Sequence, residues 1–419
     1  MYLCNVKVSY KMKNKIILIT LACLELLSAC SKDDERGPLQ PRTVLVYMAA
    51  ENSLSGYAGV DLQEIMDASI LLSEDDQLLV WFDRAKTGEL PWLGRMVNGK
   101  LRDSVSIADM QISDKDEYSS DPHVFEKVLT YAFSHYPATH GYGLVLWSHS
   151  SGWLKATDSI AYTRAYGVDN GTNSSHDSGS WMNIPTIRRV LEKQPHLEFI
   201  FADCCNFMCL ESIYELRDVT DYIVGSPAEI PDPGAPYATV VPEMFKRQNA
   251  ASAVRGIMQK YADVYQDYLP LAVAKTSDMG VLAEATRDVL KAIYSRLDSL
   301  DTEYPDMTGL IHYYNESARG NFYPYHNIFY DAGDFVKRYA TDTEYKQWKS
   351  VLDRVVTDKV FSKSWSVNKS WNIHYTDFEM TEEKYHGVSM FVPQNPNYGY
   401  YKRYNNDIEM MAWWWKVWE

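Results

Sequence analysis

Hydrophobic and polar positions follow two rhythms along this chain. Short apolar runs read as strands, and longer segments with an apolar residue every three or four positions read as helices. Residues 44–48 and 78–82 are apolar runs closed by polar turn residues, and between them 57–72 carries helical spacing at Leu62, Ile65, Ala68, Leu71 and Leu72. A second helix over 124–133 leads into the run 142–147. A fourth run, 199–202, is followed by helical spacing at Leu210, Ile213, Tyr214 and Leu216. Runs that are apolar on both faces and joined by helix-length crossovers predict a mostly parallel, doubly wound α/β sheet flanked by helices. After a short strand at 222–224 and a Pro/Gly-rich loop at 225–237, the spacing turns mainly helical. It covers 252–265, 282–297, 328–339 and 345–355, with one strand at 271–276. The tail, 410–418, holds four tryptophans and reads either as a docked amphipathic helix or as an aromatic platform for carbohydrate or membrane.

The run 199–202 ends in Asp203-Cys204-Cys205, which puts thiols at the C-terminal edge of a strand and just before a helix. Open α/β sheets bind ligands at that edge, and a thiol beside a helix N-terminus is favoured as thiolate. Fifty-six residues before Cys205 the arrangement repeats: the run 142–147 ends in Ser148-His149-Ser150-Ser151-Gly152-Trp153. Strands joined by a helix-length crossover lie parallel and commonly adjacent, so His149 and Cys205 are expected on one sheet edge, a base and a nucleophile facing one cleft. His140 precedes the same strand and belongs at its opposite end. Period-two alternation puts Phe201, Asp203 and Cys205 on one face. Cys204 and Cys209 read as small buried residues, and Cys-Cys-x-x-x-Cys is a poor zinc pattern, so no metal site is expected there.

Several stretches stand out as a set: Thr43-Val44-Leu45-Val46-Tyr47-Met48-Ala49-Ala50-Glu51-Asn52-Ser53-Leu54, Leu146-Trp147-Ser148-His149-Ser150-Ser151-Gly152-Trp153, and Phe201-Ala202-Asp203-Cys204-Cys205 with Glu211 and Tyr214-Glu215-Leu216. Gly225-Ser226-Pro227-Ala228-Glu229 with Pro236-Tyr237 follows, and later Gly387-Val388-Ser389-Met390-Phe391-Val392-Pro393. Taken together and in this order, they resemble the clostripain family of cysteine peptidases, relatives of caspases, gingipains and legumain, the last stretch being similar to a late strand of that family. The resemblance implies a caspase-like core over 42–240 and a mainly helical C-terminal region, 241–419, that contributes late strands. It also implies a cysteine endopeptidase cleaving after Arg or Lys. The family's Asp-x-Cys maps Cys205 to the nucleophile and Asp203 to an acid of the P1 pocket. The residues alone leave Asp203 open to two other uses, orienting His149 or capping the next helix. Ser226, Glu229 and Asp232 are candidates for the substrate cleft or for turn chemistry.

In that scheme His149 deprotonates Cys205 and later protonates the leaving amine, while the backbone N–H groups of Cys205 and Ser150 hold the oxyanion. Two positions depart from the family. Ser150 stands where Gly is usual, with Gly delayed to Gly152, and Met208 stands where Gly is common. Together with the tryptophan-rich tail, these departures raise the alternative of a peptidase-like binding protein impaired in turnover. The polar loop over 157–180 is expected to be exposed, and the resemblance implies self-cleavage there after Arg164 or after Lys155. Cofactors are not expected, and only family analogy leaves calcium open.

Composition narrows the setting. At 419 residues, 46% hydrophobic and 23% charged, the chain can bury a large core. A net charge of −15 argues against nucleic acid and anionic membrane surfaces as partners and favours approach of basic peptide or protein substrates. Lys11, Lys13 and Lys15 precede the apolar run 16–27, which is too short to span a bilayer, and Leu27-Ser28-Ala29-Cys30 fits a lipobox. The expectation is a lipoprotein signal over 1–29, lipidation at Cys30 and a polar tether over 30–41. This would be an outer-membrane or cell-surface lipoprotein that touches membrane through its lipid only. An ordinary cleaved secretory signal is the alternative.

Overall fold

The apolar runs meet in one nine-stranded sheet. The computed structural model describes residues 41–155, 165–171, 174–177, 179–246, 248–265, 269–313, 327–362, 365–368, 371–373, 379–398 and 401–418. Its first part runs β1 (Arg42–Ala50), α1 (Ser55–Ala68), β2 (Gln77–Arg84), β3 (Trp92–Val97), β4 (Lys100–Ser106), α2 (Pro122–His135) and β5 (Gly141–Trp147). Then follow β6 (Tyr166–Asp169), β7 (Ser180–Met182), α3 (Ile184–Leu191), β8 (Leu197–Asp203), α4 (Leu210–Leu216) and β9 (Thr220–Gly225). The remainder comprises α5 (Tyr237–Met244), α6 (Ala250–Val264), β10 (Leu271–Lys275), α7 (Met279–Ser299), β11 (Tyr330–Asp331), α8 (Ala332–Tyr339), α9 (Asp342–Val355) and β12 (Val356–Val360). The helices α10 (Tyr401–Asp407) and α11 (Ala412–Trp418) close the chain.

The sheet order is β12-β10-β9-β8-β5-β1-β2-β3-β4. Strands β9, β8, β5, β1 and β2 are parallel neighbours, and antiparallel strands finish both edges. Alternation in β1 sends Leu45, Tyr47 and Ala49 into one core layer and Val44, Val46, Met48 and Ala50 into the other. Helices α1, α5 and α6 cover the second layer, and α2, α3, α4 and α7 cover the first. The fold is therefore the mixed α/β arrangement the sequence predicts, a largely parallel sheet flanked by helices.

Three elements differ from the sequence reading. Strands β3 and β4 form a hairpin that the apolar runs did not announce, turning at Asn98 (φ 50°) and Gly99 (φ 74°). The helix expected over 328–339 starts only at Ala332, because Asp331 accepts from the Asp334 N–H as a cap and Tyr330–Asp331 pairs with Ser389–Met390. Strand β12 adds an edge beside β10. Residues 41–419 form one unit, and the 240/241 position lies inside α5. The tail docks as a helix: Trp413 is fully buried against Tyr214, and Trp418 packs on Tyr294. No helix among the described residues is long and apolar enough to cross a membrane.

Four acids crowd the first sheet layer where β1, β2 and β6 end. Glu51, Asp83 and Asp169 are buried and Asp116 is half-buried. The Ser119 hydroxyl donates to Asp83 Oδ2 at 2.5 Å, and its N–H donates to Asp169 Oδ2 at 2.7 Å. Burial, reinforced by the charge of Asp169, pushes Glu51 up to about 8. Burial likewise pushes Asp83 up to about 7, against the hydrogen bonds that lower it. The folded chain therefore keeps protons that the unfolded chain releases near its ordinary carboxyl values of about 4. Proton binding that is greater in the native state makes stability fall as pH rises. Urea unfolding is expected to show the native state losing stability between about pH 4 and pH 8, with Asp83→Asn flattening that slope. An unchanged slope in the variant would assign the protons elsewhere.

Candidate active site

Strands β5 and β8 run parallel with Trp147 opposite Asp203. His149 and Cys205 each lie two residues beyond that last matched pair, on the same C-terminal rim. The loops they occupy touch. Gly152 takes φ +56°, and a Cβ there would stand 2.5 Å from the Asn206 carbonyl oxygen and 3.2 Å from Cys209 Sγ. The Cys205 loop is also zipped along the chain after β9: the Asn206 N–H donates to Ala228 O at 2.9 Å, and the Met208 N–H donates to Ser226 O at 3.1 Å. Cys205 Sγ accepts from the Ile230 N–H at 3.4 Å. Cys204, Cys205 and Cys209 are all free. Cys204 and Cys209 are fully buried in the first core layer, while Cys205 is half-buried beside the second.

Around His149 the structure brings in two residues that the sequence reading did not single out. His149 Nε2 lies 2.9 Å from Ser53 Oγ and 3.5 Å from Asp177 Oδ1. Ser53 comes from the loop after β1, at the same rim, and Asp177 comes from the polar segment between β6 and β7. Although burial works against it, the hydrogen bond and charge of His149, with two bonds from Ser53, hold the Asp177 carboxyl well below the usual range. His140 sits at the other end of β5, beside Glu198.

The thiol is not poised as a thiolate. Burial pushes Cys205 well up, the nearby charges of Glu229, Asp232 and Asp203 push the same way, and the Ile230 N–H opposes them. This overturns the expectation from the helix N-terminus, because α4 begins only at Leu210 and three acids with little solvent outweigh it. Asp232 links the two loops electrostatically. Burial raises its carboxyl, the charge of His149 lowers it, and its own charge acts on Cys205. A neutral thiol on the same rim as an imidazole suits proton transfer concerted with attack rather than a standing ion pair.

Asp203 is buried at 3% exposure. It accepts from the Ala235 N–H at 3.1 Å and the Tyr237 hydroxyl at 2.9 Å through Oδ2, and from the Tyr261 hydroxyl at 3.0 Å through Oδ1. Burial pushes it up to about 6. Neither alternative for this acid is realised, since no side chain caps α4 and His149 bonds Ser53 and Asp177 instead. Ser226 is buried, and its hydroxyl accepts the Ala228 N–H at 3.0 Å, which is turn chemistry. Glu229 and Asp232 stay half-buried near the sulfur. The Ser150 hydroxyl accepts the Gly152 N–H at 3.1 Å, and positive φ falls on Gly152 rather than on Ser150. Met208 is buried in the first core layer. Lys155 is exposed, while Arg164 and Cys30 lie outside the described residues. Carboxylate oxygens of Glu51, Asp83 and Asp116 lie within 4.8 Å of one another, a hard-oxygen set that could hold a divalent cation such as calcium.

The model of the Clostripain family matches residues 46–418. A secreted C11 cysteine protease from Bacteroides thetaiotaomicron, solved with an irreversible peptide inhibitor, is 27% identical over 90% of this chain and 98% of its own, with a TM-score of 0.69. An inactive zymogen C11 protease from Parabacteroides distasonis is 26% identical over 91% of this chain and 99% of its own, also at 0.69. A further secreted C11 protease from Bacteroides thetaiotaomicron, iotapain, shares the fold at 20% identity and a TM-score of 0.63, over 91% of this chain and 100% of its own. No curated protein matches the chain significantly. With a family model running through almost the whole described sheet, this chain belongs to the clostripain family and is a cysteine protease.

Proposed function

We propose that this protein is an exported, lipid-anchored endopeptidase that cleaves peptide chains after Arg or Lys through a Cys205–His149 dyad. The observation that carries the reading is the β5–β8 register, which ends both strands on one rim with touching loops. His149 takes the thiol proton as Cys205 Sγ attacks the scissile carbonyl, and returns it to the leaving amine. Water then hydrolyses the thioester. The amides of Ser150 and Cys205 are the oxyanion donors in this scheme.

The charge around the sulfur supports a basic P1 residue. Asp203, Glu229 and Asp232 all act electrostatically on Cys205, so a guanidinium or ammonium entering there meets three acids. The relative solved with a peptide inhibitor fits a peptide-binding cleft, and the relative solved as an inactive zymogen fits an activation step. The features that favoured an impaired binder are absorbed by packing. Gly152 carries the positive φ, Met208 fills core, and the tryptophan tail is docked.

Peptide reporters with Arg or Lys at P1 are expected to be cleaved, with activity abolished in Cys205→Ala. Asp203→Asn is expected to lower kcat/KM for them by roughly 10- to 100-fold, as for loss of a hydrogen bond to a charged group. Equal turnover of neutral P1 reporters would sink the specificity. N-terminal sequencing of fragments from purified protein is expected to find cuts after Lys155 or Arg164 that vanish in Cys205→Ala. Cuts persisting in that variant would show another protease at work. Labelling of producing cells with a palmitate analogue is expected to mark the wild type and not Cys30→Ala, and an unlabelled wild type would leave only a secretory signal.

A further inference from the structure

We infer that Ser53 and Asp177 are positioning residues that fix the tautomer of His149, leaving Nδ1 as the lone pair that takes the thiol proton. This rests on the Cys205–His149 reading and adds to it the group that orients the base.

The argument is a count of hydrogens. A serine hydroxyl carries one. The Ser53 hydroxyl donates to Asp177 Oδ2 at 2.9 Å, and the Ser53 N–H donates to Asp177 Oδ1 at 3.0 Å, so the carboxylate grips Ser53 at two points. With its hydrogen committed, Ser53 Oγ offers only lone pairs to His149 Nε2, 2.9 Å away. Nε2 must then bear the hydrogen, and the Asp177 Oδ1 atom 3.5 Å from it favours the same state. A neutral imidazole carries one hydrogen, so Nδ1 is the basic atom. No hydrogen bond to Nδ1 forms among the described residues.

Proton bookkeeping closes without moving a proton to Asp177. The thiol hydrogen passes to Nδ1 as sulfur attacks, and Nε2 keeps its own hydrogen on Ser53 Oγ. The resulting imidazolium is stabilised by the ionised Asp177 carboxylate. Asp232 also interacts electrostatically with His149, and the Trp181 ring lies 6.5 Å from the imidazole. Asp177 meets the nitrogen that faces Ser53, and among the described residues no hydrogen bond joins it to Cys205. The geometry therefore fits support of the base rather than a latch over the nucleophile. Nothing in the sequence pattern marked Asp177, which lies in a polar segment composed like any surface loop.

The test is steady-state kinetics of the full chain on Arg-P1 and Lys-P1 reporters. Asp177→Ala and Ser53→Ala are each expected to lower kcat by roughly 10- to 100-fold with KM little changed, as for loss of an orienting partner. Ser53→Thr, which keeps the hydroxyl, is expected to retain most activity, a rescue that a merely structural role would not give. Wild-type kcat in both alanine variants, with Cys205→Ala and His149→Ala inactive, would overturn this inference and leave the dyad standing. A rise in kcat in Asp177→Ala would overturn it in favour of a latch. Retained turnover in His149→Ala would overturn the dyad itself. Should Asp177→Ala fail to fold, the contrast between Ser53→Ala and Ser53→Thr decides alone.

Discussion

The register between β5 and β8 decides which of two thiols is buried in the first core layer and which lies beside the second. Two cysteines stand side by side at the end of β8, and neighbouring residues of a strand face opposite sides, so a slip of one position would exchange the buried Cys204 for Cys205. The register is locked by fit. Gly143 lies opposite Phe199, and a Cβ there would come within 2.4 Å of the Phe199 ring. Two residues before Gly143, a Cβ on Gly141 would meet the Glu198 carboxylate at 2.3 Å. Both glycines therefore exist to admit side chains from β8. The two sheet layers that result place Ile200, Ala202 and Cys204 among first-layer residues and Phe199 and Phe201 in the second.

Beyond the ladder, main-chain bonds take over from packing. Gly167 donates to His149 O at 3.0 Å and Ser151 donates to Ala165 O at 3.0 Å, which ties the histidine loop to β6. On the cysteine side, the Ser389 N–H donates to Met208 O at 3.0 Å, and the Phe391 N–H donates to the buried Glu211 carboxylate at 2.7 Å. Backbone bonds are indifferent to the side chain that accompanies them. That is why a methionine is accommodated at 208, where its own N–H still reaches Ser226 and its side chain simply joins the core. At Gly152 the residue itself is dictated, because positive φ and contact with the Asn206 carbonyl both exclude a Cβ.

The parallel centre of the sheet was legible because strands buried on both faces must be apolar throughout, and such runs stand out. The edges were less legible. Strand β4 is mostly exposed, so its residues carry no apolar signal, although the Asn98-Gly99 pair between it and β3 is the strongest hairpin mark a sequence can bear. In β12 the residues Thr357, Asp358 and Lys359 are polar for the same reason. For the candidate site, the shared rim of His149 and Cys205 was legible because each follows an apolar run. Asp203 followed from alternation and the family motif, but its burial under Tyr237 and Tyr261 did not, since those tyrosines come from helices far along the chain. Ser53 and Asp177 were invisible as a pair, because only the folded chain brings residues 124 positions apart within one hydrogen bond.

In the proposed reading, the acids near the sulfur tie recognition to reactivity. Charges that repel a thiolate also attract a cation, so the resting site keeps the sulfur as a neutral thiol. A bound basic side chain would neutralise part of that field and ease the proton off Cys205 just when a substrate is present. The same reasoning limits Asp203. Three hydrogen bonds stabilise its ionised form while burial opposes it, and the balance leaves it near 6, close to half-charged in weak acid. A cation brought against it would shift that balance toward the carboxylate. Two tyrosine hydroxyls and one amide are thus enough to hold the acid in place, while leaving its charge to be completed by what enters the cleft.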